Sequence, residues 1–357
     1  MISVVRSKSN KLIDFSYNKN SELSSLFLFI GLTFLLVACE SPVERVQHVY
    51  SGEVMGTYFR IKMVGNDAQA LQALEPQLEA VMSEVNESMS NYIPDSEISR
   101  FNRLKAGQSM PMSLIFAEVI DESLKISKLS KGAFDVTLAP LINAWGFGEQ
   151  GAIVRQPKPN ELSQLAKRIG YQKLQFENNT LTKLVDGLEV NVSAIAKGYA
   201  VDRLAQTLRN AGADNFLVDI GGELVAAGRN LEGHAWRVGI EKPTILGGIQ
   251  QVVKLSNKAL ATSGDYRNFL LVDGEQFSHT IDPLTLKPSF HKLASVSVLS
   301  ESCSRADALA TALMAMGAER GFVFAQENKL AVYMLVRETQ SNEYSVRMSE
   351  EFSRILQ

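Results

Sequence analysis

The chain has 357 residues, with 36 Lys and Arg against 39 Asp and Glu and a formal net charge of −3. That length can bury a full core as one large domain or two smaller ones. With no basic block in the body of the chain, nucleic acid is excluded as an expected partner.

The N-terminal segment differs from the rest. Arg6, Lys8, Lys11 and Lys19 precede an apolar run over residues 26–38 that is broken only by Gly31 and Thr33. The run is too short to span a bilayer comfortably and reads as the h-region of a signal peptide. It ends in Leu36-Val37-Ala38-Cys39, which resembles a bacterial lipobox; that resemblance implies that Cys39 becomes the lipidated first residue of an exported protein. An uncleaved anchor helix is the alternative. The expected organisation is a leader over 1–39, a short polar tether over 40–47 and one body over 48–350. Cys303 then remains as the other cysteine, with no intramolecular disulfide expected, and reads as a small core residue.

Within the body, residues 48–64 are rich in Val, Tyr, Phe and Ile and predict a strand interrupted at Gly56. Helical periodicity over 68–90 should break or restart at Pro76. A helix follows over 113–129, then a short one over 160–169, and hairpin signals at Asn178-Asn179 and Asp186-Gly187. A helix over 194–211 leads to strand candidates at 216–227, 235–241, 250–255, 269–272 and 293–299, a helix through Asp307, and strands at 331–336 and 344–348. Strands that follow one another directly predict an α+β fold with largely antiparallel pairing.

Four segments carry candidate chemistry. In residues 306–316 every position except Asp307 and Thr311 is Ala, Leu or Met, so both polar groups are expected to face inward. A buried carboxylate of this kind either caps a neighbouring loop or, with the hydroxyl one turn on, offers oxygen ligands to a hard cation such as Mg2+. Residues 132–137 and Trp145-Gly146-Phe147-Gly148 combine small residues with aromatics, as either a packed turn or a site where a planar ring approaches the backbone. Residues 191–200 read as a strand end entering a helix N-terminus, which favours anions, with Lys197 available to a phosphate or a ring carbonyl. His279 sits in the dense polar cluster over 277–283 and is either a proton acceptor or a structural partner of the Asp282 turn. The Gly221-Gly222 bend before Glu223 is assigned a structural role.

In order along residues 50–336, the chain resembles the ApbE family of flavin transferases. The resemblance is carried by Met55-Gly56-Thr57-Tyr58, Met89-Ser90-Asn91-Tyr92, Asp95-Ser96-Glu97 and Phe101-Asn102, by 132–137 and 145–148, and by 194–202, 219–223, 262–266, 278–283 and 306–311. It implies an ApbE-like fold and transfer of FMN from FAD to a protein threonine through a phosphoester, with release of AMP. It places Mg2+ on Asp307, Thr311 and the backbone oxygen of Ala194. FAD is placed against Met55, Tyr92, Ala133, Phe134, Asp135, Asn191, Lys197 and Ile281. Asn191 stands where many members carry aspartate, so an acceptor-only group is replaced by an amide. Catalytic roles fall to Asp307 and to His279 as base, with Asp282 or a metal-bound water as alternatives. The implied acceptor is a subunit of a membrane electron-transfer complex such as a sodium-pumping quinone reductase, reached from the periplasmic face of the inner membrane. FAD hydrolysis at the same site, or flavin binding without turnover, are the competing readings.

Overall fold

The computed structural model describes residues 44–148, 156–244, 247–266, 269–272, 275–338 and 343–356. The expected leader, Cys39 of the expected lipobox and the first half of the expected tether lie outside these residues. The chain divides into Met1–Glu44 and Arg45–Gln357, and the strands and helices named belong to the second unit.

Eight strands build one antiparallel sheet in which spatial order is chain order: β1 (Val46–Val54), β2 (Thr57–Gly65), β3 (Phe216–Ile220), β4 (Glu223–Ala227), β5 (Lys258–Gly264), β6 (Leu293–Ser300), β7 (Ala331–Arg337) and β8 (Tyr344–Met348). One face carries the longer helices α1 (Glu75–Met89), α2 (Leu114–Leu129), α3 (Ser193–Asn210) and α4 (Cys303–Glu327), which share a core with Ile61, Met63, Val218, Val296 and Met334. The opposite face packs Leu224, Leu260, Leu299 and Leu335 under the Trp236–Glu241/Ile249–Leu255 hairpin and the helix Glu350–Leu356. Central strands covered on both faces cannot alternate, which is why β4 is buried throughout and β6 nearly so.

The α+β expectation holds, with local differences that have physical causes. The strand expected over 48–64 is a hairpin, because Met55 and Gly56 both adopt left-handed backbone (φ 51 and 73) and make a two-residue turn. The helical run over 68–90 restarts at Pro76 as expected: it forms two helices, Ala68–Gln72 and α1, with Pro76 in the first turn of α1 where its missing N–H is not needed. Strand β5 was not anticipated, since its sequence KALATSG has neither alternation nor bulk; its neighbours on both edges supply its order. Helix α4 runs well beyond residue 316 and bends at Gly317.

Trp145 belongs to a third cluster with Leu138, Leu141, Leu162, Ile169 and Ile281. Its indole N–H donates to the Leu286 carbonyl at 3.0 Å, so the Trp-Gly-Phe-Gly segment is a packed turn that anchors the 281–288 hairpin.

Candidate active site

Two tight turns meet at the rim of a cavity of about 640 Å³. One is Met55-Gly56 between β1 and β2. The other is Gly221-Gly222 between β3 and β4, again with left-handed backbone (φ 63 and 107). A Cβ on Gly221 would lie 2.9 Å from Thr57 Cγ2, so the turns abut only because glycine occupies that position. The second turn delivers Glu223, the first residue of β4, to the cavity wall.

The floor is set by the crossing of α3 over the start of α4. A Cβ on Gly198 would fall 2.5 Å from the Cys303 carbonyl oxygen, so the two backbones touch there. Contact at that distance lets the Gly198 N–H donate to Asp307 Oδ2 at 3.1 Å. One turn further along α3, Asp202 accepts the N–H groups of Cys303 and Ser304 at 2.8 and 2.9 Å and the hydroxyls of Ser302 and Ser304. The first amides of α4 thereby gain a charged acceptor from outside their own helix, which fixes its N-terminus and the position of Asp307.

Lys197 Nζ lies 3.0 Å from Glu223 Oε1 and 3.9 Å from Asp307 Oδ2. Both carboxylates are buried, and Glu223 Oε2 has no hydrogen-bond partner among the described residues. Burial pushes both acids up, Glu223 to about 7, against the pull of Lys197. Burial also works against the Lys197 charge, but Asp307 and Glu223 outweigh it and hold the ammonium protonated. Two buried carboxylates facing one ammonium leave an excess of negative charge, which a bound cation would relieve. Thr311 places its hydroxyl 3.4 Å from Ser263 Oγ on the same wall, and Ala194 lies in the first turn of α3. The donors are hard oxygens, suited to a small divalent cation that takes few protein ligands and completes its shell with water and phosphate.

Met55, Ala133, Phe134, Asp135, Asn191, Ala194, Lys197, His279, Ile281, Asp307 and Thr311 all line this one cavity. Tyr92 does not; it is 71% exposed. Asp135 Oδ1 accepts the Thr137 N–H and hydroxyl at 2.8 and 2.6 Å, and Oδ2 accepts the Tyr171 N–H at 2.8 Å. Burial raises its pKa while those bonds oppose the rise. Asn191 donates its backbone N–H to Val136 and accepts the Ser193 N–H at 2.8 Å, joining the two wall segments. That contact uses the acceptor end of the amide, which an aspartate would share.

Glu223 was missed in the sequence because the glycine pair before it reads as a bend. Its signal was the one that exposed Asp307, a single carboxylate heading an otherwise apolar segment, Leu224-Val225-Ala226-Ala227. Lys197, expected to face a phosphate or a ring, is first an ion-pair partner of the two acids.

Residues 55–334 match the model of the ApbE family. The chain is 41% identical over 305 residues to the FAD:protein FMN transferase of Vibrio cholerae, covering 85% of this chain and 91% of that protein. It is 35% identical over 343 residues to the FAD:protein FMN transferase of Haemophilus influenzae, covering 94% and 98%. Among solved structures, the flavin transferase ApbE from Vibrio cholerae superposes with a TM-score of 0.80 at 38% identity over 87% of this chain and 100% of that one. The apo form of the Pseudomonas stutzeri flavinyl transferase ApbE gives 0.81 at 37% identity, covering 87% and 97%.

Proposed function

This chain belongs to the ApbE family, and from that membership and the make-up of its cavity we propose that it is an FAD:protein FMN transferase dependent on Mg2+. The observation that carries the reading is the cavity floor, where Asp307 and Glu223 outnumber Lys197 beneath a space of the size a cofactor site requires. Asp307, Thr311 and the Ala194 carbonyl are the groups that would hold Mg2+. When bound, the ion supplies charge neutralisation on the FAD pyrophosphate and on the departing phosphate.

The residues divide the remaining work. Met55, Ala133, Phe134 and Ile281 give the flavin substrate apolar walls, while Asp135 and Asn191 brace the backbone behind them. His279 accepts the proton of the acceptor threonine as its oxygen attacks the flavin-side phosphorus. The P–O bond to AMP breaks, AMP leaves with the bridging oxygen, and riboflavin phosphate stays on the threonine as a phosphoester. Lys197 holds Glu223 and keeps the floor from expanding under its own repulsion.

In the same reading Cys39 carries the lipid, the body faces the periplasm at the inner membrane, and the acceptor is a subunit of a membrane electron-transfer complex such as a sodium-pumping quinone reductase. The test combines the soluble body, FAD, Mg2+ and a candidate acceptor domain, followed by protein mass and AMP. A gain of one FMN with one AMP released is expected. AMP without a mass gain replaces transfer by hydrolysis, and bound FAD with neither product replaces it by a carrier role.

A further inference from the structure

The cavity wraps around the end of the sheet. On β5, Ala259 and Ala261 pack into the helix-side core, and Ser263 follows them in alternation to meet Thr311 of α4. Leu260 packs under the Trp236–Glu241/Ile249–Leu255 hairpin instead, so Thr262 and Gly264 share its face. Strand β4 divides in the same way, with Glu223 on the helix side facing Lys197 and Leu224 under the hairpin. The groups that would hold Mg2+ therefore lie on the helix side. Leu224, Val238, Ile240, Leu260 and Thr262 give the cavity a second, hairpin side that none of those groups reaches.

Tyr266 stands on that second side. A Cβ on Gly264 would lie 2.5 and 2.9 Å from Cε1 and Cδ1 of Tyr266, so the tyrosine ring rests against the strand in space that only glycine leaves open. The same residue lines the cavity. Its turn is clamped at the preceding residue: the Asp265 N–H donates to the Ala294 carbonyl at 3.1 Å, and the Asp265 carboxylate accepts Nη1 and Nη2 of Arg337 at 2.7 and 2.5 Å. That bidentate fork joins the end of β5 to the end of β7 across β6. Among the described residues the other Phe and Tyr side chains on the cavity are Phe134 and Tyr58. Phe134 is 2% exposed and offers almost no surface, while Tyr58 follows the rim turn and is 43% exposed.

Resting on the transferase reading, we propose that Tyr266 is a binding residue for FAD, the platform on which one of its two planar nitrogen heterocycles stacks, and that Asp265 and Arg337 position it. FAD is a pyrophosphate with a ring at each end. With the pyrophosphate on the cavity floor, a ring directed to the hairpin side meets the aliphatic wall of Leu224 and Leu260 and a tyrosine already held in place. Stacking adds to the burial of the ring, and a platform fixed beforehand loses little freedom when it is used.

The test uses FMN and ADP, which carry one ring each and so tell flavin from adenine. Binding in the presence of Mg2+ is followed by flavin fluorescence for FMN and by calorimetry for ADP. Y266L should weaken one of the two by about tenfold and leave the other unchanged, which identifies the ring and verifies folding. Y266F keeps the ring and should restore the affinity. R337A should weaken the same ligand by a smaller factor and spare the other; parental affinity for both, or an equal loss of both, overturns the positioning role of the fork. Unchanged affinity for both ligands in Y266L, or an equal loss of both, overturns the stacking role, and binding of FAD by the unaltered protein then leaves the transferase reading standing. An unaltered protein that binds neither FMN, ADP nor FAD overturns both.

Discussion

Lys197 and Glu223 form a 3.0 Å ion pair on the cavity floor, and that pairing leaves Asp307, 3.9 Å from the same ammonium, the more weakly ion-paired of the two acids. The arrangement opposes stability to function. Under the proposed function, the carboxylate whose burial costs the metal-free protein stability is the one that would hold the cation.

The D307N variant separates the two. Asparagine keeps an acceptor for the Gly198 N–H and removes the excess charge, so the metal-free protein should gain stability by roughly 1 kcal/mol. Divalent-cation binding by calorimetry should fall beyond detection, and FMN transfer with it. A variant that loses stability yet still binds Mg2+ would place the cation elsewhere.

Removing the ammonium has the reverse sign. In K197M two buried acids face each other without a counter-ion, at a cost of about 3 kcal/mol. Lys197 is 29% exposed toward the cavity, which holds the figure at the low end. Excess Mg2+ should recover part of the loss in a urea melt by taking over the neutralising role. Equal midpoints with and without Mg2+ would show that the ion does not meet this cluster.

Gly198 tests the crossing that builds the floor. Because a Cβ there would meet backbone rather than a flexible side chain, G198A must push α3 and α4 apart. We expect a loss of about 3 kcal/mol together with weakened metal binding, since the Gly198–Asp307 bond crosses the same gap. D202A should cost about 2 kcal/mol by uncapping α4. Stability within error of the parent in G198A would mean the helices have room the structure does not show.

These tests also mark how far the sequence could be read. Asp307 and Thr311 stood out because each breaks an apolar run, and the segments around Ala133, Asn191 and His279 carried enough small and polar residues to be singled out, whereas Met55 entered only through the family resemblance. The structure brings them to one cavity. What a single sequence cannot encode is approach across the sheet. Nothing beside Glu223 in the chain says that Lys197 lies 3.0 Å away, and the role of Gly198 depends on a carbonyl more than a hundred positions later. Strand β5 was invisible for the same reason, its order coming from β4 and β6 on either side. Tyr92 shows the converse, a motif residue whose side chain stands outside the cavity.

Cys303 offers a chemical check on the burial of this crossing. Burial drives its thiol well above the ordinary value, and Asp202, Asp307 and Glu223 add to the rise. The reactive thiolate is therefore scarce as well as inaccessible. In native protein at pH 8, peptide mass spectrometry after iodoacetamide should find Cys303 unmodified, with full labelling only in denaturant. Rapid native labelling would show that the α3–α4 contact opens readily.

Helix α4 bends at Gly317. Gly317 adopts φ 77 and ψ 176, a conformation open to glycine alone in practice, and a Cβ there would lie 2.8 Å from the His291 ring. That ring donates Nε2–H to the Met314 carbonyl at 2.6 Å, capping the half of α4 that carries Asp307 and Thr311, while its Nδ1 is buried without a partner among the described residues. G317A should lose about 3 kcal/mol, part from backbone strain and part from displacing the imidazole. H291A alone should cost about 1 kcal/mol for the lost cap. In the double variant the steric part vanishes while the backbone part remains, so the two losses should fall short of adding by about 1 kcal/mol. Simple additivity in a denaturation cycle would mean that Gly317 is required for its backbone angles and makes no room for His291.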